Sequence, residues 1–244
     1  MAIDLAKAAD RLATLQRAID VAGQVSGHQA ARLLAVSKGQ SAAAVQAFYD
    51  LGLRDFGESY AQELDDKRQT LGKTAPQIRW HFVGAIQSNK IPSIVRCHLV
   101  HSVGTLRHAV AMSTMDAQDL VILLQVNIGE ERQKSGFLPG ALPALMPQLL
   151  ELPHLVVRGL MALPPVDEPI VQRRQRFLQV AELRDRLQQQ TGHALPELSM
   201  GMSDDHVEAV ACGATWVRVG TALFGPRDHP LRRQMKQQKK GVSR

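Results

Sequence analysis

Aromatic side chains are scarce in this chain: six Phe, two Trp and two Tyr among 244 residues. Proteins that hold single-stranded nucleic acid stack bases on such rings, and none is interleaved with the basic residues here. The formal charge of +6 therefore does not point to nucleic acid as the main partner. Much of the excess lies in Arg173-Arg174-Gln175-Arg176 and in the tail 232–244, which carries Arg232, Arg233, Lys236, Lys239, Lys240 and Arg244. A solvated helix face and a basic tail account for both. Cysteine is also scarce. Cys97 and Cys212 form no motif, so neither a disulfide scaffold nor a thiolate metal site is expected, and a reduced cytoplasmic setting is. The nine histidines fall without metal-ligand spacing. No apolar run is long enough to cross a bilayer, and Asp4, Lys7, Asp10 and Arg11 interrupt any signal-peptide core, so no membrane partner is expected.

What is present is a regular alternation. Leu5, Ala8, Leu12, Leu15, Ile19 and Ala22 mark one face of an N-terminal helix. After it, short apolar runs alternate with helical stretches. The strand-like runs are 33–38, 55–58, 78–84, 98–103, 120–127, 155–163, 197–201 and 216–220. The helical stretches between them are 42–51, 60–71, 87–95, 105–115, 140–152, 172–191 and 203–212. Strand–helix repetition of this count and total length predicts an α/β fold, a closed (β/α)8 TIM barrel with an extra N-terminal helix and no C-terminal β domain. No composition break marks a linker, so 1–244 reads as one domain.

In such barrels chemistry sits at the C-terminal ends of the strands. Lys38 closes the first run, Leu33-Leu34-Ala35-Val36-Ser37, and shares a strand face with Leu34 and Val36. An amine turned toward the barrel interior is poorly solvated, which lowers its pKa and suits it to attack a carbonyl. The alternative is a lysine that snorkels out at a strand end.

The last two strands offer an anion site. Ser203 follows Gly201 after the seventh strand, and Thr221 follows Gly220 after the eighth. Turn N–H groups and these hydroxyls suit a phosphate. Ser203 is equally well placed as a plain helix cap. Asp204 and Asp205 would repel a phosphate unless their side chains face outward. Arg218 shares a face with Gly220, and a buried guanidinium needs an acceptor; Glu58 at the end of the second strand is the competing ion-pair partner.

Several motifs in order resemble one family. They are Ala35-Val36-Ser37-Lys38, Phe56-Gly57-Glu58, Trp80-His81-Phe82-Val83-Gly84, Gln87-Ser88-Asn89-Lys90, Gln125-Val126-Asn127, Lys134-Ser135-Gly136, Gly159-Leu160-Met161, Leu198-Ser199-Met200-Gly201-Met202-Ser203 and Val217-Arg218-Val219-Gly220-Thr221. Together they resemble the pyridoxal phosphate homeostasis proteins, fold-related to the alanine racemase N-terminal barrel. The resemblance implies that Lys38 holds pyridoxal 5′-phosphate covalently as a Schiff base. It implies that Ser203, Gly220 and Thr221 bind the phosphate, that Arg218 lies against the pyridine nitrogen, and that Met161, Asn127 and His81 neighbour the ring. A guanidinium there leaves the nitrogen unprotonated and the ring a poor electron sink.

Four segments depart from the family pattern. Gly39-Gln40 stands where a threonine and second lysine are common, and Ser59 where an asparagine is usual. Ala85-Ile86 alters a Gly-x-Leu-Gln segment, and Gly104 replaces a common aspartate. The implied role is intracellular vitamin B6 homeostasis, buffering the cofactor or delivering it to apo-enzymes, without robust turnover. One alternative is a weak pyridoxal-dependent amino-acid racemase. The racemase tyrosine sits on a further β domain, however, and Tyr49 and Tyr60 fall early in this chain. A second alternative is a Schiff-base aldolase on a sugar phosphate, although its lysine sits on a later strand. With no β domain expected, monomer is the expected state.

Overall fold

The computed structural model describes residues 4–115, 119–131, 135–165 and 167–225. The tail 232–244 and Lys134 lie outside them.

Helix α1 (Leu5–Ser26) is capped by the Asp4 side chain, which accepts from the Lys7 N–H at 3.2 Å. Gly27, at φ 73°, ends it in the left-handed conformation. The apolar face predicted for it is buried at Ala8, Leu15, Ile19 and Ala22, while Leu5 at its start is exposed. Strands and helices then alternate: β1 (Arg32–Val36), α2 (Ala42–Asp50), β2 (Asp55–Glu58), α3 (Ala61–Leu71), β3 (Arg79–Phe82) and α4 (Ile91–Ile94). They continue through β4 (Leu99–Val103), α5 (Leu106–Ser113), β5 (Leu120–Val126), α6 (Leu142–Leu150) and β6 (Leu155–Ala162). The last are α7 (Ile170–Thr191), β7 (Glu197–Ser199), α8 (His206–Ala211), β8 (Trp216–Val219) and α9 (Thr221–Phe224). All eight strands pair in parallel and close as β1-β2-β3-β4-β5-β6-β7-β8, the barrel expected from the alternation. Helix α1 packs across α8 and α9.

Two helices differ from expectation. The stretch 87–95 splits into a 3-10 turn, Ser88–Lys90, and the short α4, whose Pro92 has no N–H to carry bonding across the join. Residues 203–205 turn rather than coil, so α8 starts only at His206.

Strand alternation sorts the side chains into two cores. Outward residues such as Leu33, Ala35, Phe56, Trp80 and Phe82 join a large cluster under the helices. Inward residues Leu34, Leu99, Leu123, Met161 and Trp216 fill the barrel itself. At the N-terminal end, Arg32 pairs with Glu197 and Arg79 with Asp55. That leaves the opposite end of the interior, beyond the strand termini, to form the rim where a ligand can sit.

Candidate cofactor site

A cavity of about 240 Å³ opens at that rim, and Lys38, Ser203, Arg218, Gly220 and Thr221 all line it, beside Val36, Ser59, Val83, Leu163, Met202 and Asp204. Lys38 lies two residues past β1, half-buried, on the interior face it shares with Leu34 and Val36. A second cavity of about 490 Å³ adjoins it, sharing Lys38, Ser59 and Val83 and adding Tyr60, Gln62, Gly84, Gln87 and Lys90. Lys38 therefore stands between the two spaces.

Ser203 does not cap the helix that follows it, α8. Its Oγ accepts from the Ala222 N–H at 3.3 Å, joining the β7 turn to the first turn of α9. Gly220 brings that turn close to β1: a Cβ there would meet the Val36 carbonyl at 3.2 Å. Gly201 holds φ 88°, and a Cβ would come 2.5 Å from Ala209 Cβ. Gly201 is thus demanded by its backbone conformation and by the packing of α8, and Gly220 sits in a tight fit against β1. The two aspartates part company. Asp204 is exposed at the cavity edge, as expected, but Asp205 is buried and turned inward, where Arg173 donates to it at 2.8 Å and the Met202 N–H at 2.6 Å. Its charge is balanced by Arg173.

Arg218 is buried and donates from Nη1 to Ser199 Oγ at 2.8 Å and from Nη2 to the Ala162 carbonyl at 2.9 Å. Burial pushes its pKa down to about 10, countered by the Asp205 charge, so it remains a cation at neutral pH. The Glu58 pairing is absent. Glu58 points to the outer face of β2, into the helix layer, where Lys67 meets it at 2.5 Å and Ser37 Oγ donates to it at 2.6 Å. Arg218 points inward, so the barrel wall separates them.

Asn127 lines a third rim space with Val83, Gln125 and Leu163. Its carboxamide ties its own loop, donating to the Glu131 carbonyl at 2.8 Å and accepting from the Glu131 N–H at 3.2 Å. His81 and Met161, expected beside the ring, are not among the residues lining the cavity that Lys38 and Ser203 line. Each lies two residues below a rim residue on the same strand face, His81 under Val83 and Met161 under Leu163. Met161 is fully buried in the interior apolar cluster, and His81 is fully buried against Asp55 and His101. Strand parity placed both inside the barrel but did not give their depth.

The departures also acquire a setting. A Cβ at Gly104 would come 2.9 Å from the Gly136 N, so the usual aspartate has no room beside Ser135-Gly136. A Cβ at Gly84 would fall 1.9 Å from the Ser59 carbonyl, so Ser59 and Gly84 form one tight seam of the rim.

The sequence and the fold are shared with known proteins. Residues 10–228 match the family model described as alanine racemase, N-terminal domain. The "Pyridoxal phosphate homeostasis protein" of Pseudomonas aeruginosa is 44% identical over 227 residues, spanning 91% of this chain and 96% of that one. Its namesake from Escherichia coli K12 is 40% identical, over 81% of this chain and 86% of the relative. The chain belongs to this family. A solved structure of PipY from Synechococcus elongatus "with PLP bound" superposes with a TM-score of 0.80 at 35% identity, covering 89% of this chain and 100% of that one. Alanine racemase from Corynebacterium glutamicum, at 17% identity and a TM-score of 0.64, shares the fold over 88% of this chain and 61% of its own. Among the described residues no helix is long and apolar enough to cross a membrane, and no metal-holding cluster occurs.

The residues sequence reading missed are polar and lie below or behind the rim: Asp55, His101 and Ser199 inside the barrel, and Lys67 behind it. Their signal was present in part, since His81 and His101 fall on inward positions of adjacent strands.

Proposed function

We propose that this protein binds pyridoxal 5′-phosphate reversibly on Lys38 and buffers it or passes it to apo-enzymes in a cytoplasmic setting. The observation that carries the reading is the convergence of Lys38, Ser203, Arg218, Gly220 and Thr221 on one rim cavity. The donor set fits the group. Hydroxyls and turn N–H groups at Ser203 and Thr221 suit a phosphate, Lys38 supplies an amine, and Arg218 adds a donor-only guanidinium, all on the one cavity. When bound, the cofactor supplies an aldehyde carbon able to condense reversibly with amines.

Lys38 supplies the amine, while Ser203, Gly220 and Thr221 hold the phosphate and Asn127 borders the site. Arg218 can donate to an unprotonated ring nitrogen but cannot accept from a protonated one, so it leaves that nitrogen unprotonated and does little for carbanion chemistry. The adjoining cavity, which Lys38 also lines, would give an incoming amine a path to the carbon that Lys38 holds. Together these favour holding and release over turnover. The buried free cysteines Cys97 and Cys212 suit a reducing compartment.

The test is the absorbance spectrum of the purified protein beside Lys38→Ala, with borohydride reduction and peptide mapping. A visible band lost in the variant, with the reduced adduct mapped to Lys38, is the expected result. A protein that takes up no added cofactor refutes the reading.

One observation favours a second reading, weak racemase activity: Tyr60 lines the cavity that Lys38 borders. Solvent exchange of an amino acid's α-hydrogen, lost in Lys38→Ala and reduced in Tyr60→Phe, is its signature.

A further inference from the structure

Below the rim, a continuous hydrogen-bonded chain crosses the barrel interior. Arg218 Nη1 donates to Ser199 Oγ at 2.8 Å. Ser199 Oγ lies 2.8 Å from His101 Nδ1, His101 Nε2 lies 2.9 Å from His81 Nδ1, and His81 Nε2 lies 3.1 Å from Asp55 Oδ1. Arg79 closes the far end, donating from Nε and Nη2 to the two Asp55 oxygens at 2.6 Å each. The chain thus links β8, β7, β4, β3 and β2, from the N-terminal end of the barrel to the cavity.

Its two ends fix the direction of every proton between them. Arg218 can only donate, and Asp55, ionised against Arg79, can only accept. Burial would raise the Asp55 carboxyl, but hydrogen bonds from Arg79 and His81 outweigh it and hold it well below the usual carboxylate range. His81 Nε2 must therefore carry a hydrogen toward Asp55. Burial lowers the pKa of both rings and keeps them neutral, so His81 Nδ1 is an acceptor. His101 Nε2 must then donate to it, leaving His101 Nδ1 to accept from the Ser199 hydroxyl. Ser199 consequently offers only lone-pair density to Arg218. The reverse order, with both neutral rings turned over, would set His81 Nε2 lone pair against the Asp55 carboxylate.

We propose that Asp55, His81, His101 and Ser199 are positioning residues for Arg218, a one-way hydrogen-bond chain that holds the guanidinium toward the cavity and so sets the electronic state of the bound cofactor ring. The proposal rests on reading Arg218 as the ring residue. Ser199 and the Ala162 carbonyl hold two arms of the fork, and the chain gives the buried cation an acceptor backed by a remote carboxylate in place of a direct ion pair. Trp216 packs edge-on to His81 and His101, at centroid distances of 4.9 and 6.0 Å.

The first test needs no cofactor. Nitrogen-15 NMR of histidine-labelled apo-protein at neutral pH should show His81 and His101 as Nε2–H tautomers with unprotonated Nδ1; an Nδ1–H tautomer at either ring overturns the direction assigned here. The second uses Ser199→Ala, Ser199→Thr and Arg218→Gln loaded with pyridoxal 5′-phosphate. Ser199→Ala should weaken cofactor binding about tenfold and shift the visible band, as loss of one hydrogen bond to a charged group does, and Ser199→Thr should restore both. If Ser199→Ala binds and absorbs like wild type while Arg218→Gln does not, the chain positions nothing and the ring assignment stands. If Arg218→Gln is also unchanged, the ring assignment fails with it. Asp55→Ala guards against misfolding at the cavity, because its site lies at the other end of the barrel. It should release the His81 tautomer and move the band in the same sense as Ser199→Ala, and an unmoved band in a folded Asp55→Ala protein overturns the proposal.

Discussion

Lys67 reaches from α3 to the buried Glu58 carboxylate at 2.5 Å and, with the same Nζ, donates to the Ser37 carbonyl at 2.8 Å, one residue before Lys38. Both side chains are buried, Lys67 at 7% exposure and Glu58 at 0%. Burial raises the Glu58 pKa against the opposing pull of Lys67, so the carboxylate depends on that ammonium. Removing one partner of such a pair costs far more than removing both. Lys67→Met should therefore lose about 3–5 kcal/mol of stability, and Glu58→Gln in the same chain should recover part of it. Urea unfolding of Lys67→Met, Glu58→Gln and the double variant decides the matter. An additive double-mutant cycle would show that the pair does not support the β1 end where Lys38 sits.

The barrel was legible from strand–helix alternation, because eight apolar runs with seven intervening helices admit few other closures. The rim residues Lys38, Ser203, Gly220 and Thr221 were legible because each follows a strand end. Depth was not. Strand parity says that His81 and Met161 point inward, but the stagger of tilted strands decides which inward residues reach the rim and which lie below it. The same limit hid the interior chain, whose members sit on five strands far apart in sequence. The Glu58 pairing could have been discarded from parity alone, since Asp55 and Gly57 take the inward positions of β2 and leave Glu58 outward.

Gly84 should tolerate no side chain. A Cβ there would lie 1.9 Å from the Ser59 carbonyl, a backbone atom that cannot swing aside. Gly84→Ala should cost about 1–3 kcal/mol, the range of an overpacked site, and should weaken cofactor binding because both residues line the cavity with Lys38. Gly140→Ala is the matched control, since a Cβ at Gly140 meets nothing within 4 Å. Equal melting temperatures for the two variants would show that the seam yields easily.

Stability should fall as pH drops below 6.5. Burial lowers the pKa of His81, against the pull of Asp55, and lowers that of His101 well below the ordinary value. Between the folded and unfolded pKa values the unfolded chain binds more protons, so folding is favoured above that window and penalised within it. Each ring contributes a slope of up to about 1.4 kcal/mol per pH unit. Glu58 opposes this at lower pH, because its raised pKa favours proton uptake in the folded state. Asp55 adds to the loss only below the ordinary carboxylate range, where the unfolded chain begins to protonate it. Comparing urea unfolding at pH 7 and pH 5.5 for wild type and His101→Gln isolates one ring. The variant should show the shallower dependence, and equal slopes would mean that His101 is not held neutral by burial.

Lys90 should distinguish incoming amines that carry a carboxylate from those that do not. It ends the 3-10 turn Ser88–Lys90 and lines the larger cavity beside Lys38, among Tyr60, Gln62 and Gln87, and no carboxylate lines that space. An amino acid approaching through this cavity would bring its carboxylate past the Lys90 side chain. Lys90→Gln removes that charge, and a part-exposed ion pair is worth about 0.2–1 kcal/mol, so amino-acid-driven release of the cofactor should slow by about 1.4- to fivefold. Release by a monoamine of the same size should not slow. Because exposed charges are screened by salt, the wild-type preference should shrink at high ionic strength. Stopped-flow loss of the bound chromophore with the two amines reads all three effects. Equal slowing of both would mean that Lys90 shapes the cavity and does not read the carboxylate.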